Sequence, residues 1–164
     1  MNPVDVRDLV DHPGASRTVH VDEAVDGLRL ELAAVPDDAP IHADLLLESV
    51  VEGILVSGPV SGRVSLSCAR CLRTFDDGFG VRVRELFARG ARPGDDEYPL
   101  SPSGEIDLEP MVRDAVLLSM PFSPLCRPDC QGLCERCGGD RNLGECTCGP
   151  EPADPRWAAL DGLF

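Results

Sequence analysis

Apolar and polar residues alternate along much of the first ninety positions, with one clear switch to helical spacing further on. "SRTVHVDEAV" and "LRLELAAV" read as short strands separated by Asp26-Gly27, and Pro36, Asp37, Asp38 and Pro40 mark a turn. "IHADLLLESVVEGILVSGPVSGRVSLSC" is rich in β-branched and aliphatic residues interrupted at Gly53, Gly58-Pro59 and Gly62. It predicts two or three successive antiparallel strands, with a hairpin around the glycines of "VSGPVSGRVSLSC". "DDGFGVRVRELFARG" opens as a turn and then alternates Val81 and Val83 with Arg82 and Arg84, the pattern of a half-buried strand. "ARPGDDEYPLSPSGE" reads as an acidic loop.

The helical pattern starts after Asp107, a candidate N-cap, where Leu108, Met111, Val112, Ala115, Val116 and Leu118 recur on one face. Pro110 is tolerated in a first turn, and Pro121 ends the element. A second, short helix is expected over "DPRWAALDGLF", capped by Asp154 with Pro155 at its first position.

The 164 residues carry eight cysteines: 68, 71, 126, 130, 134, 137, 146 and 148. Disulfides fit poorly, because the start "MNPVDVRDLVDHPG" has neither the basic region nor the apolar run of a secretory signal. A cytoplasmic protein is expected. A redox Cys-x-x-Cys belongs at a helix start beside a βαβ pattern, which neither pair has. Metal fits better, since zinc favours four thiolates presented as two close pairs. Cys134-x-x-Cys137, relaxed by Gly138-Gly139, and Cys146-x-Cys148 make one such set. Cys68-x-x-Cys71 and Cys126-x-x-x-Cys130 are then joined most simply into a second, closing a loop of more than fifty residues. An interleaved arrangement, with Cys126 or Cys130 exchanged into the other set, competes with this pairing, and an iron–sulfur cluster is a further alternative. Two closed zinc sites would be structural rather than catalytic, each contributing on the order of 10 kcal/mol of apparent folding free energy.

The expected class is therefore α+β: an antiparallel β-sheet or partly open barrel with one core helix over residues 1–121. A Cys-rich zinc-binding segment, residues 122–164, would pack on it.

Net charge is −14, with 15 basic residues that are all arginine against 29 acidic ones. Such a field repels nucleic acid and anionic membrane as a whole. Residues 61–90 invert it, with six arginines against Asp76, Asp77 and Glu85. Arg63, Arg70, Arg73, Arg82 and Arg84 cluster there around the first cysteine pair, with Arg89 and Arg92 just beyond. Phosphate contacts are local, so an RNA-touching face fits within an acidic protein. The plain alternative is a solvated strand face balancing nearby carboxylates. His12, His20 and His42 lack ligand spacing to one another and read as surface or strand residues. No nucleophile–base order, P-loop or dinucleotide fingerprint is present, so no enzymatic activity and no small-molecule substrate are expected.

"CARCL", "ELF", "IDLEPMVRDAVLLSMPFSPLC", "CQGLCERCGGDRNLGECTC" and the closing "DPRWAALDGL" together resemble the YceD-like family, named for accumulation of large-subunit ribosomal RNA. The resemblance covers roughly residues 40 to 164. It implies a non-enzymatic factor supporting 23S ribosomal RNA accumulation, acting on the large-subunit precursor through ribosomal RNA, a basic ribosomal protein, or both. It assigns the eight cysteines to the family's cysteine positions and Asp154, Pro155, Arg156 and Trp157 to its terminal motif. "GGDRN" departs from the expected stretch without touching a ligand. A thiol-based redox or zinc-responsive regulator is the alternative from another class.

Overall fold

The computed structural model describes residues 1–92 and 95–149. Along them run β1 (Val4–Asp5), β2 (Ser16–Ala24), β3 (Ala33–Ala34), β4 (Pro40–Ser49), β5 (Gly53–Ser67), β6 (Thr74–Arg89), β7 (Tyr98–Leu100), β8 (Glu105–Ile106) and α1 (Glu109–Ser119). All eight strands form one sheet in the order β1-β8-β7-β6-β5-β4-β2, with β3 pairing onto β5. Its two edges curl toward each other, and Arg17 on β2 donates to the carbonyl oxygen of Asp5 on β1. The result is a curled half-barrel with one helix among the described residues.

Strict alternation explains which face is lined. Ile41, Ala43, Leu45 and Leu47 of β4 point inward while His42, Asp44 and Leu46 point out. Ile54, Val56, Val60, Val64 and Leu66 do the same on β5. Burying each large aliphatic side chain is worth about 1.5–3 kcal/mol. Phe87 on β6 is fully buried and stacks on Tyr98, ring centroids 5.3 Å apart. Helix α1 packs against β6 and buries Met111, Val112 and Val116.

Several expectations need correction. The sheet is not wholly antiparallel: β7 runs parallel to β6, Phe87 opposite Tyr98. Ala88 then meets Pro99 and Arg89 meets Leu100, so the two strands advance in the same direction. The expected acidic loop thus contains a strand. "LRLELAAV" supplies only Ala33–Ala34 and a bridge between Arg29 and Ala34.

No hairpin forms at Gly58-Pro59-Gly62, because β5 is a single strand of 15 residues. Gly58 is there for close approach: a Cβ would lie 2.1 Å from the Asp44 carbonyl oxygen on β4. Asp76 and Asp77 are not a turn but paired strand residues, opposite Ser65 and Val64. The turn falls instead on residues 68–73. Asp107 is not the N-cap, which is Leu108, although its carboxylate accepts the Glu109 N–H at 3.0 Å. Leu118 belongs to the outer face and is 81% exposed. The helix expected at Asp154 lies outside the described residues.

The two kinds of strand glycine should separate cleanly in urea unfolding. Gly58→Ala is expected to lower stability by about 1–3 kcal/mol, because backbone rather than a yielding side chain stands in its way. Gly80→Ala, on a site with nothing within 4 Å of the added carbon, is expected to stay within about 0.5 kcal/mol of the parent.

Candidate functional site

The β5–β6 hairpin is the longest in the fold, and its connecting turn is the first cysteine pair. Cys68 accepts the Leu72 N–H through its carbonyl at 2.9 Å, and its own N–H goes to the Arg73 carbonyl at 2.9 Å. Leu72 sits at φ 59°, which lets the chain reverse directly after Cys71. The segment following α1 reaches this turn when Ala69 donates to the Pro124 carbonyl at 2.8 Å. Leu133 then donates to the Arg70 carbonyl at 3.0 Å. Gly132, at φ 73°, allows that approach, since a Cβ there would be 2.9 Å from the Arg70 oxygen.

These backbone bonds bring four sulfurs together. Cys68 and Cys130 lie 3.8 Å apart, Cys71 and Cys126 3.7 Å, and all four ligand atoms are within 4.8 Å of one another. A zinc–thiolate bond of about 2.3 Å implies sulfur–sulfur edges of about 3.8 Å in a regular tetrahedron. The donors therefore fit a four-thiolate metal ion. Cys134, Cys137, Cys146 and Cys148 form a second group within the same limit. It is built on a tight turn in which Gly138 donates to Cys134 at 2.8 Å and Cys134 to Gly139 at 2.9 Å. This grouping is the non-interleaved one, and all eight cysteines are free thiols. The first group is mostly buried, whereas Cys137 and Cys148 of the second are exposed.

The sulfurs divide by ionisation. Burial pushes the Cys68 thiol up, but N–H groups of Cys126, Cys71 and Arg70 aimed at its sulfur prevail and hold it at about 6. Backbone N–H groups of Cys137 and Arg136 hold Cys134 at about 6 as well. Burial, then the neighbouring sulfur of Cys71, pushes Cys126 to about 12. Cys148 rises to about 12 beside Cys137 and Cys146. In each group one sulfur is driven toward ionisation while Cys71 and Cys126 in the first, and Cys146 and Cys148 in the second, are pushed up, as crowded thiols do. Arg141 bonds to the Cys134 sulfur and has its own pKa raised by it.

The structure splits the five candidate arginines. Arg70 donates from Nη1 to the Cys130 carbonyl at 2.8 Å, and Arg73 reaches the Asp140 carboxylate at 3.3 Å. Both tie the hairpin turn to the Cys-rich segment. Arg63, Arg82 and Arg84 instead stand on the outer face of β5 and β6, exposed, with no ion pair or side-chain hydrogen bond among the described residues. Arg82 pairs with Pro59, Arg84 with Ser57 and Arg63 with Gly78, and the same outer face carries Ser61 and Gly80 together with Leu46 opposite Ser57 and Asp76 opposite Ser65. His20 lies 2.5 Å from Asp44 and His42 3.4 Å from Asp22, across neighbouring strands, and His12 is exposed.

Asn142 and Asp140 carry interactions that cysteine spacing alone did not single out. Asp140 accepts from the Asn142 amide and backbone N–H and from Arg73, and its pKa is lowered in that order of cause. The Asp140-x-Asn142 step, a turn former within the second site's loop, was the available signal.

A family model described as large ribosomal RNA subunit accumulation protein YceD matches residues 56–164. The chain belongs to that family. An uncharacterized protein of Mycobacterium tuberculosis is 39% identical over 170 residues, covering 96% of this chain and 78% of the relative. One from Mycobacterium leprae is 35% identical over 177 residues, covering 98% and 76%. The chloroplastic large ribosomal RNA subunit accumulation protein YCED homolog 1 of Arabidopsis thaliana is 36% identical over 59 residues, 36% of this chain and 18% of the relative. No solved structure matches. Among the described residues no helix is long and apolar enough to cross a membrane.

The thiol ionisation sets the sign of a pH effect. At neutral pH Cys126 and Cys148 carry protons that a metal must displace, so affinity should fall as pH drops from 8 toward 6. Calorimetry of the reduced, stripped chain in buffers of different ionisation enthalpy is expected to register two metal equivalents, with roughly one or more protons released per ion. Cys126→Ser should remove one equivalent and, with the buried set broken, lower the unfolding midpoint more than Cys148→Ser does.

Proposed function

We propose that this chain is a non-enzymatic, zinc-stabilised cytoplasmic factor that supports 23S ribosomal RNA accumulation during large-subunit assembly. The family and the name of the chloroplastic homologue supply the process. Zinc is the ion that two closed sets of four thiolates suit best, with no open position for a reacting water. Three arginines supply the RNA-facing surface.

The observation that carries the reading is the state of Arg63, Arg82 and Arg84. In a chain of net charge −14, carboxylates outnumber guanidiniums almost two to one, yet these three are left without a partner among the described residues. They stand exposed on a long hairpin whose directly paired positions Ser57, Pro59 and Gly78 are small, so a phosphate backbone can approach closely. Arginine presents a planar fork that matches phosphate oxygens. The acidic remainder of the surface suits a basic ribosomal protein rather than more RNA.

The exposure of Cys137 and Cys148 favours a second reading, a thiol-based or zinc-responsive regulator. It requires the isolated protein to carry cycling thiols in place of metal, which metal analysis and thiol titration decide.

The test of the first reading is co-sedimentation with large-subunit precursors. Arg63→Glu, Arg82→Glu and Arg84→Glu combined should abolish most of the association at low salt while the thermal unfolding midpoint holds. Milder Arg→Gln changes should flatten the dependence of log affinity on log salt by about one unit for each phosphate no longer neutralised. Unaltered co-sedimentation of the triple Glu variant would remove the arginine face from the account.

A further inference from the structure

We propose that the two thiolate sites are energetically coupled, and that Asn142 is the positioning residue that couples them. This rests on the reading that both groups hold metal. Residues 138–145 join the two ligand pairs of the second site, so the placement of Cys137 and Cys146 decides the shape of this loop. Asn142 lies within it, yet its side chain serves the first site.

Asn142 Nδ2 donates to the Cys130 sulfur at 3.6 Å and to Asp140 Oδ1 at 2.6 Å. Its Oδ1 accepts from the Gln131 backbone N–H at 2.8 Å and from Arg127 Nη2 at 2.7 Å. These partners fix the amide orientation. Reversing it would aim an oxygen at a carboxylate and a sulfur, and an NH2 group at two donors. The sulfur of Cys130 is therefore an acceptor, and Asn142 grips the 127–131 turn that presents it. Asp140 extends the connection to the other half of the first site, through its ion pair with Arg73, two residues beyond Cys71.

An N–H donated to a metal-bound thiolate directs the sulfur and lowers its charge, and such outer interactions are worth about 10–100-fold in metal affinity. Filling the second site orders the loop, and the ordered loop delivers that N–H to the first site. Thermodynamic linkage makes the effect equal in the other direction.

The test uses the full chain, stripped and reduced, with zinc competed against a chromophoric chelator. Four proteins are compared: the parent, Asn142→Leu, the pair Cys146→Ser with Cys148→Ser, and all three changes together. The serine pair is expected to lower first-site zinc affinity roughly 10-fold or more when Asn142 is present, and to have no further effect once Asn142→Leu is in place. An equal cost in both backgrounds, or none in either, overturns the coupling. Asn142→Asp keeps the acceptor oxygen and loses the donor. In the cadmium-loaded protein it should move the first-site cadmium NMR resonance and leave the second in place, whereas an unmoved first-site resonance overturns the assigned N–H to sulfur bond. A parent chain that binds fewer than two zinc ions overturns the underlying reading, and this inference with it. Two ions bound independently overturn the coupling alone.

Discussion

Four sulfurs from positions 55 and 62 residues apart along the chain meet at the end of the β5–β6 hairpin. They crowd at distances that thiolates do not tolerate alone. The crowding shows in the rise of Cys126 to about 12 while Cys68 falls to about 6. With a divalent ion the repulsion becomes ligation, and the energy of ligation becomes energy of folding. Among the described residues, little else joins the Cys-rich segment to the half-barrel: a few backbone bonds to residues 69 and 70, the side chains of Arg70 and Arg73, and the packing of Phe75 with Leu125 and Leu133 around the cysteines. The apolar core is a separate cluster, built from the inner sheet face and α1. Burial of that core holds the sheet, while the placement of residues 125–149 rests largely on the cysteine cluster.

That dependence has a direction. The first group is shielded by Phe75, Leu125 and Leu133, and the second faces solvent through Cys137 and Cys148. Shielding raises the worth of each charge–ion interaction and slows exchange with outside ligands. On the proposed reading, with metal in both groups, the buried one would be the permanent clip and the exposed one would respond first to chelators or oxidants. Arg141, whose pKa the Cys134 sulfur raises, would partly offset the negative charge that four thiolates leave around one divalent ion.

How much of this was legible in the sequence varied with the physical origin of each feature. Spacing picked out the four close cysteine pairs, because thiols meant for one point sit on short turns wherever the rest of the chain goes, but it left an interleaved grouping open, and only the folded hairpin decides which pairs meet. Strands β2 and β4 and the body of α1 followed from periodicity, since one buried face imposes its period on the residues. Gly58 misled because the same residue type serves a turn and a close backbone approach, and only the partner strand decides between them. Asp76-Asp77 misled for a related reason: acidic pairs mark turns in isolation, but the tighter turn at Cys68–Cys71 sets the register. The parallel pairing of β7 depends on which strand it meets and in what register, and no local pattern records that. Nor could composition separate Arg70 and Arg73 from Arg82 and Arg84, because the difference lies in what each meets after folding.

That separation also resolves an apparent conflict in the charge. A protein of net charge −14 should avoid RNA, and over distances beyond the screening length of about 8 Å at physiological salt it gains nothing from approaching it. At close range the sum matters less than the local arrangement. Arg70 and Arg73 are committed to holding the clip, so they cannot also reach outward. Arg63, Arg82 and Arg84 can, because the strand pairing that fixes them uses only backbone and the small residues around them leave their side chains clear. On the proposed reading, the surrounding acidity turns the same face into an orienting device. Any approach by another surface meets repulsion, so the hairpin that carries the metal clip is also the part of the molecule that arrives first.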